Sequence, residues 1–143
     1  RWLVGEEFTT VKAFGSNLVD PAIGAAGDVD TAVVSMTTNS GKLASISNSR
    51  RASYGYDQRI EVHGTKGMIQ AQNVLESTVV TSTEDGVRSE KPMHLFLERY
   101  AAAYQAEWDG FVRLVIDGER TMPNQHDGLE SLRLAEAASA QVL

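Results

Sequence analysis

The chain has 143 residues, 42% hydrophobic, 22% charged and 7% aromatic, the make-up of one globular domain with its own core. Its net charge is −6 with basic residues scattered along the sequence, which argues against the clustered basic face of a general nucleic-acid binder. It has no cysteine, which excludes disulfides, thiolate nucleophiles and cysteine-ligated zinc and fits a reducing, cytoplasmic setting. No apolar run approaches the ~20 residues of a membrane span.

Arg1-Trp2-Leu3-Val4 reads as the last turn of a helix begun upstream and stopped near Gly5. Phe8 to Phe14 alternates and predicts a strand. Asn17 to Asp28, with Pro21, Gly24 and Gly27 among small residues, reads as a loop. Asp30 to Thr38 and Lys42 to Ser49 read as a hairpin closed by Asn39-Ser40-Gly41, with Leu43 to Ile46 its buried part.

Gln58 to His63 alternates again, with Ile60 and Val62 inward. It is followed by the turn Gly64-Thr65-Lys66-Gly67 and a short strand Met68 to Ala71. Ser77 to Ser82 and Val87 to Lys91 flank the turn Glu84-Asp85-Gly86.

The period then changes. Leu97, Tyr100, Ala101, Tyr104, Trp108, Phe111, Val112 and Val115 recur at helical steps, which predicts an amphipathic helix of about five turns ended by Gly118. Its stripe of Tyr100, Tyr104 and Trp108 reads as core. Thr121-Met122-Pro123-Asn124 is a linker. A last helix runs from Asp127, which suits a capping position, with Leu129, Leu132, Ala135 and Ser139 near one face.

Strands joined by short turns and followed by two helices predict an α+β fold with a mainly antiparallel sheet of about six to eight strands. Two helices cover one face only, and valines such as Val33-Val34 and Val79-Val80 imply a partner on the other.

Several segments have chemistry-bearing letters without the right context. Gly24-Ala25-Ala26-Gly27 is followed by a strand, whereas a dinucleotide loop follows a strand and opens a helix. His63, His94 and His126 fall in no metal-ligand spacing. In His126-Asp127 the aspartate reads as a helix cap rather than an imidazole partner. The densest polar-aromatic stretch is Asn48-Ser49-Arg50-Arg51-Ala52-Ser53-Tyr54-Gly55-Tyr56-Asp57-Gln58-Arg59. Its arginines and phenols suit a polyhydroxylated ligand, and equally an exposed strand connection with paired arginines.

The same stretch carries a family resemblance. Asp28-Val29-Asp30-Thr31-Ala32-Val33-Val34, Asn48-Ser49-Arg50-Arg51, Tyr54-Gly55-Tyr56-Asp57-Gln58-Arg59 and Glu61-Val62-His63-Gly64-Thr65-Lys66-Gly67-Met68 resemble inositol dehydrogenases of the glucose–fructose oxidoreductase/inositol dehydrogenase/rhizopine-catabolism family. The likeness extends over essentially the whole chain.

It implies the family's C-terminal domain: an open-faced, mostly antiparallel sheet with helices on one face, like that of dihydrodipicolinate reductase, and oligomer contacts on the other. It also implies oxidation of myo-inositol to 2-inosose with NAD as cofactor. The NAD-binding Rossmann domain, the catalytic lysine, aspartate and histidine, and NAD affinity itself are expected upstream of Arg1.

Arg1-Trp2-Leu3-Val4-Gly5 matches the tail of the family's catalytic helix, whereas Glu90-Lys91-Pro92 repeats the letters of its lysine motif at an unrelated place. No catalytic, cofactor-binding or metal-ligating residue is therefore expected in this chain. The substrate-side residues carried over are Tyr54 first and Tyr56 second, placed on one face by strand alternation. The expected partners are a cyclitol or sugar substrate and further copies of the chain, as a dimer or tetramer. The alternatives are a related dehydrogenase for another cyclitol or sugar, and a stand-alone oligomerising module without catalysis.

Overall fold

A computed structural model describes residues 1–120 and 123–143, so Thr121 and Met122 of the expected Thr121-Met122-Pro123-Asn124 linker lie outside the described residues. The chain divides into two compact units: Arg1–Arg51 with Pro123–Leu143, and Ala52–Met122.

In the first unit, Gly5 N–H donates to Arg1 O at 2.8 Å and Gly5 has φ 71°. This is the expected helical turn, stopped by a left-handed glycine. Strands β1 (Phe8–Ser16), β2 (Thr31–Thr38) and β3 (Leu43–Ser49) form an antiparallel sheet in the order β1-β2-β3. Val11 pairs with Met36, Ala13 with Val34 and Phe14 with Val33. Alternation puts Ala13 on one face and Phe14 on the other.

Helix α4 (Gln125–Val142) packs on β1, and Ala13 and Met36 are buried. Packing is close at the strand end, where a Cβ on Gly15 would lie 2.8 Å from the Val142 Cβ. The helix starts at Asn124, whose side chain accepts from the His126 and Asp127 N–H groups, while Asp127 accepts back from the Asn124 N–H at 3.0 Å. Asp127 is thus the reciprocal partner in a capping box, three residues after the capping Asn124 rather than at the cap.

The face that carries Leu129 and Leu132 is not the one α4 turns to β1. Leu129 and Leu132 are exposed, while Leu134, Ala138 and Val142 are half-buried. Two stripes of small and apolar residues run along this helix, and Gly15 admits the one that carries Val142.

Two further expectations are overturned in this unit. Asn17 to Asp28 contains a short helix, α1 (Pro21–Ala25), because the Asp20 side chain caps the Ala22 N–H at 2.9 Å and Pro21 sits in its first turn. In β3, Leu43 is 78% exposed and Ile46 49%: Ile46 shares the Ala13–Val34 face, where α4 reaches β1 and not the far edge, while Leu43, paired with Thr37, is on the opposite face. Asp30 is buried and accepts the N–H groups of Leu18, Val19 and Asp20 at 2.8–2.9 Å and the Thr31 hydroxyl at 2.8 Å. It thereby ties the loop before α1 to the start of β2.

The second unit holds two hairpins, β4 (Ile60–Gly64) with β5 (Gly67–Ala71) and β6 (Val80–Thr83) with β7 (Gly86–Ser89), each antiparallel. The strands expected along the chain are all present. Among the described residues their ladders form one three-stranded and two two-stranded sheets. Val62 is half-buried, but Ile60 is exposed rather than inward.

The long helical stretch is broken at Tyr100 into α2 (Phe96–Arg99) and α3 (Ala101–Asp117). Gly118 at φ 71° ends α3 with its N–H on Leu114 O, as expected. The stripe read as core is not buried: Trp108 is 64% exposed and Tyr104 48%. Helical periodicity identifies residues that share a face and leaves open what meets that face.

Candidate substrate-side site

Between β3 and β4 the chain makes a turn at Ser53-Tyr54 and runs irregularly to Arg59. Gly55 has φ 137°, and a Cβ there would lie 2.6 Å from Pro92 O, so only glycine fits. Tyr56 N–H donates to Met93 O at 2.9 Å, which fixes the segment against the residues following β7. This geometry overturns the strand alternation expected for Tyr54 and Tyr56, because the intervening Gly55 is not in extended strand backbone. The two rings have different neighbours.

Tyr54 is exposed and its hydroxyl donates to Asp57. Asp57 also receives Arg59 Nε at 2.8 Å, Arg59 Nη2 at 2.9 Å and Asn73 Nδ2 at 2.7 Å. Asn73 in turn accepts the Gln58 N–H at 2.7 Å. The Arg59 guanidinium, then the Tyr54 hydroxyl and Asn73, hold the Asp57 carboxyl well below the usual range. The hydrogen bond to Asp57 pushes the Tyr54 phenol up. Arg59 keeps 61% of its side chain exposed.

Tyr56, half-buried, sets its ring edge-on to Tyr100 at 5.8 Å and 80°. Tyr100 donates to Gln58 Oε1 and lies 6.2 Å from the Tyr104 ring. Arg99 stacks over Tyr100 at 5.6 Å, with its Nε buried and without a partner among the described residues.

The structure therefore brings both expected tyrosines into one polar-aromatic segment and adds Asp57, Asn73, Gln58 and Tyr100. Asp57 and Gln58 lie inside the stretch singled out from the sequence, yet nothing in their spacing marks them as anchors. Tyr100 was assigned to a core stripe. Asn73 carries no sequence signal, since its role depends on a contact across 16 residues.

The other candidates have structural roles. Asp127 is engaged by the Asn124 N–H and by Arg1 Nη1, both at 3.0 Å, while His126 is exposed with Nδ1 3.9 Å from Glu130. His63 pairs with Met68 in the β4–β5 ladder. Lys91, from Glu90-Lys91-Pro92, accepts the Glu76 N–H through its carbonyl beside the Leu75–Pro92 bridge. Among the described residues no group of three or more His, Cys, Asp or Glu is placed to hold a metal. An open groove of about 320 Å³ between β1 and α4 includes Glu7 and Arg133, and these are paired with Arg1 and Glu130.

The Gly24–Gly27 segment does not fit a dinucleotide phosphate. It falls at the C-terminal end of α1, and the helix start is capped by the Asp20 carboxylate, whereas a phosphate needs free N–H groups at a helix N-terminus.

These elements define the C-terminal alpha/beta domain of the oxidoreductase family, whose profile matches residues 1–142. The chain belongs to this family, the glucose–fructose oxidoreductase/inositol dehydrogenase/rhizopine-catabolism oxidoreductases. It is 51% identical over 138 residues to the myo-inositol 2-dehydrogenase of Thermotoga maritima, covering 96% of this chain and 41% of that protein. A crystal structure of a probable dehydrogenase from Thermotoga maritima superposes with TM-score 0.93 at 50% identity, over 99% of this chain and 43% of that one. The scyllo-inositol dehydrogenase of Lactobacillus casei, solved with bound NAD(H) and scyllo-inositol, superposes with TM-score 0.88 at 29% identity, over 99% of this chain and 42% of that one. The chain thus spans well under half the length of the relatives it matches. No helix among the described residues is long and apolar enough to cross a membrane.

Proposed function

We propose that this chain is the substrate-side part of an NAD-dependent inositol 2-dehydrogenase, which oxidises one ring carbinol of myo-inositol to the ketone 2-inosose. The observation that carries this reading is the hydroxyl of exposed Tyr54 fixed on the Asp57–Arg59–Asn73 cluster, in a chain 51% identical to a myo-inositol 2-dehydrogenase. A phenol held in one orientation beside an exposed guanidinium suits a ring of hydroxyls. The aromatic faces of Tyr56 and Tyr100 suit its C–H side.

In this reading Tyr54 and Tyr56 are the substrate-binding residues. The acid–base groups and the NAD site belong to residues outside this chain, and the cytoplasm is the compartment. A second reading changes only the cyclitol, because a relative at TM-score 0.88 binds scyllo-inositol.

The test is made in the full-length protein. Tyr54→Phe should lower kcat/KM for the polyol about three- to tenfold, the effect of one lost hydroxyl hydrogen bond, with NAD affinity unchanged. A defect confined to Tyr56→Phe would move the contact to Tyr56. Wild-type kinetics in both variants would remove this segment from the pocket.

A further inference from the structure

We propose that Asp57 is a positioning residue: by holding the Tyr54 hydroxyl proton, it makes Tyr54 an acceptor-only contact, one that a substrate hydroxyl must approach as a donor. The inference rests on the reading of Tyr54 as a substrate contact and adds the direction of that hydrogen bond and the residue that sets it.

A phenol has one proton to give and lone pairs to receive with, whereas an ionised carboxylate only accepts. The bond between Tyr54 and Asp57 therefore has one possible sense while Asp57 is charged, and Tyr54 is the donor. Asp57 stays charged because two N–H groups of Arg59 and the Asn73 amide converge on it at 2.7–2.9 Å. It stays in place because Asn73 is itself anchored on the Gln58 backbone N–H at 2.7 Å. Arg59 offsets the carboxylate, so the cluster presents no bare negative charge to the ligand. With its proton committed, Tyr54 keeps 49% of its surface open and offers only lone pairs.

A donor-only requirement has a chemical consequence. The carbinol being oxidised loses its hydroxyl proton to a base and its C–H hydride to NAD+, and the carbonyl that results cannot donate. A neutral phenol whose proton is already held is not that base. Tyr54 accordingly addresses a ring hydroxyl that keeps its proton throughout, and it sets which way the ring is presented rather than taking part in the oxidation.

The experiment is a double-mutant cycle in the full-length protein, read together with tyrosine ionisation. Asp57→Ala and Tyr54→Phe should each lower kcat/KM for myo-inositol by up to about tenfold with the KM for NAD unmoved. The double variant should be no worse than Tyr54→Phe alone, because Asp57 acts through Tyr54. In the ultraviolet titration, the phenol assigned to Tyr54 by its loss in Tyr54→Phe should ionise at lower pH in Asp57→Ala than in the wild type. Should the alanine variant not fold, Asp57→Asn preserves the shape and should move both readouts in the same directions.

Multiplying losses in the double variant would overturn the inference, as would a Tyr54 ionisation unmoved by either Asp57 substitution. If the ionisation moves while Tyr54→Phe leaves the kinetics at wild type, the substrate role of Tyr54 is what fails, and the kinetic role of Asp57 falls with it.

Discussion

The side-chain amide of Gln141 stands in for a missing strand beside Ala13. Gln141 Oε1 accepts the Ala13 N–H at 3.2 Å, and its Nε2 donates to Val11 O at 3.0 Å. Strand β1 is the edge of its sheet, so these two backbone groups have no ladder partner on that side, and an unpaired edge invites association. One glutamine near the end of α4 satisfies both and ties the helix to the strand.

Gln141→Leu should therefore destabilise the chain by about 1–2 kcal/mol, the cost of leaving partly buried backbone groups unpaired. Chemical denaturation measures the loss, and hydrogen exchange should show the Ala13 amide less protected. Unchanged exchange at Ala13 would mean that another group satisfies the edge.

Asp30 gives the structure an acid limit. Burial alone would raise its pKa, but the backbone N–H groups of Asp20, Leu18 and Val19 and the Thr31 hydroxyl bring it down to about 2 from 3.8. A carboxyl with a depressed folded-state pKa contributes stability that is present above its unfolded value and lost as pH falls through the folded one. Stability should thus decline between about pH 4 and pH 2, with exchange of the Leu18, Val19 and Asp20 amides rising in that window. Asp30→Asn should abolish this part of the pH dependence. A variant whose acid profile matches the wild type would place the limit elsewhere, for instance at Glu6, whose pKa its bonds to Lys42 and Ser40 also lower to about 2.

The sheet face opposite α4 gives a prediction about assembly. Phe14 and Leu43 are each 78% exposed; Val33 is paired with Phe14, and Leu43, paired with Thr37, lies further along the same face. Apolar surface gains roughly 25 cal/mol per Å² when removed from water, so we predict that this face takes a second copy. Two-fold pairing is the simplest arrangement. Sedimentation equilibrium at micromolar concentration should give at least a dimer, and Phe14→Lys with Leu43→Lys should shift it toward monomer. A single species near 15.5 kDa for the unmodified chain would contradict this.

Apart from α1, the order of strands and helices was legible because each element has a local cause: the Val- and Thr-rich run of β2, Gly118 at the end of α3, the glycine turn between β4 and β5. What meets each face was not legible. Trp108 and Leu43 sit at positions whose pattern says apolar face and whose surroundings leave them open. In the same way, Leu129 and Leu132 matched a stripe that Gly15 and Val142 decide against. In the candidate site, the family motif pointed to Tyr54 and Tyr56 together. The anchors that separate them, Asn73 and Tyr100, come from distant segments and depend on a turn forced by Gly55 and Pro92. No period or spacing in the sequence encodes such a contact.

As proposed, this chain helps to bind a cyclitol for NAD-dependent oxidation. Initial rates of NAD+ reduction by the full-length protein, taken over myo-inositol, scyllo-inositol and glucose at matched concentrations, test it most directly. Myo-inositol should have the highest kcat/KM, at least about tenfold above glucose, a margin of ~1.4 kcal/mol. Turnover of glucose equal to or faster than that of either inositol, or no polyol-dependent reduction of NAD+ at all, would contradict it.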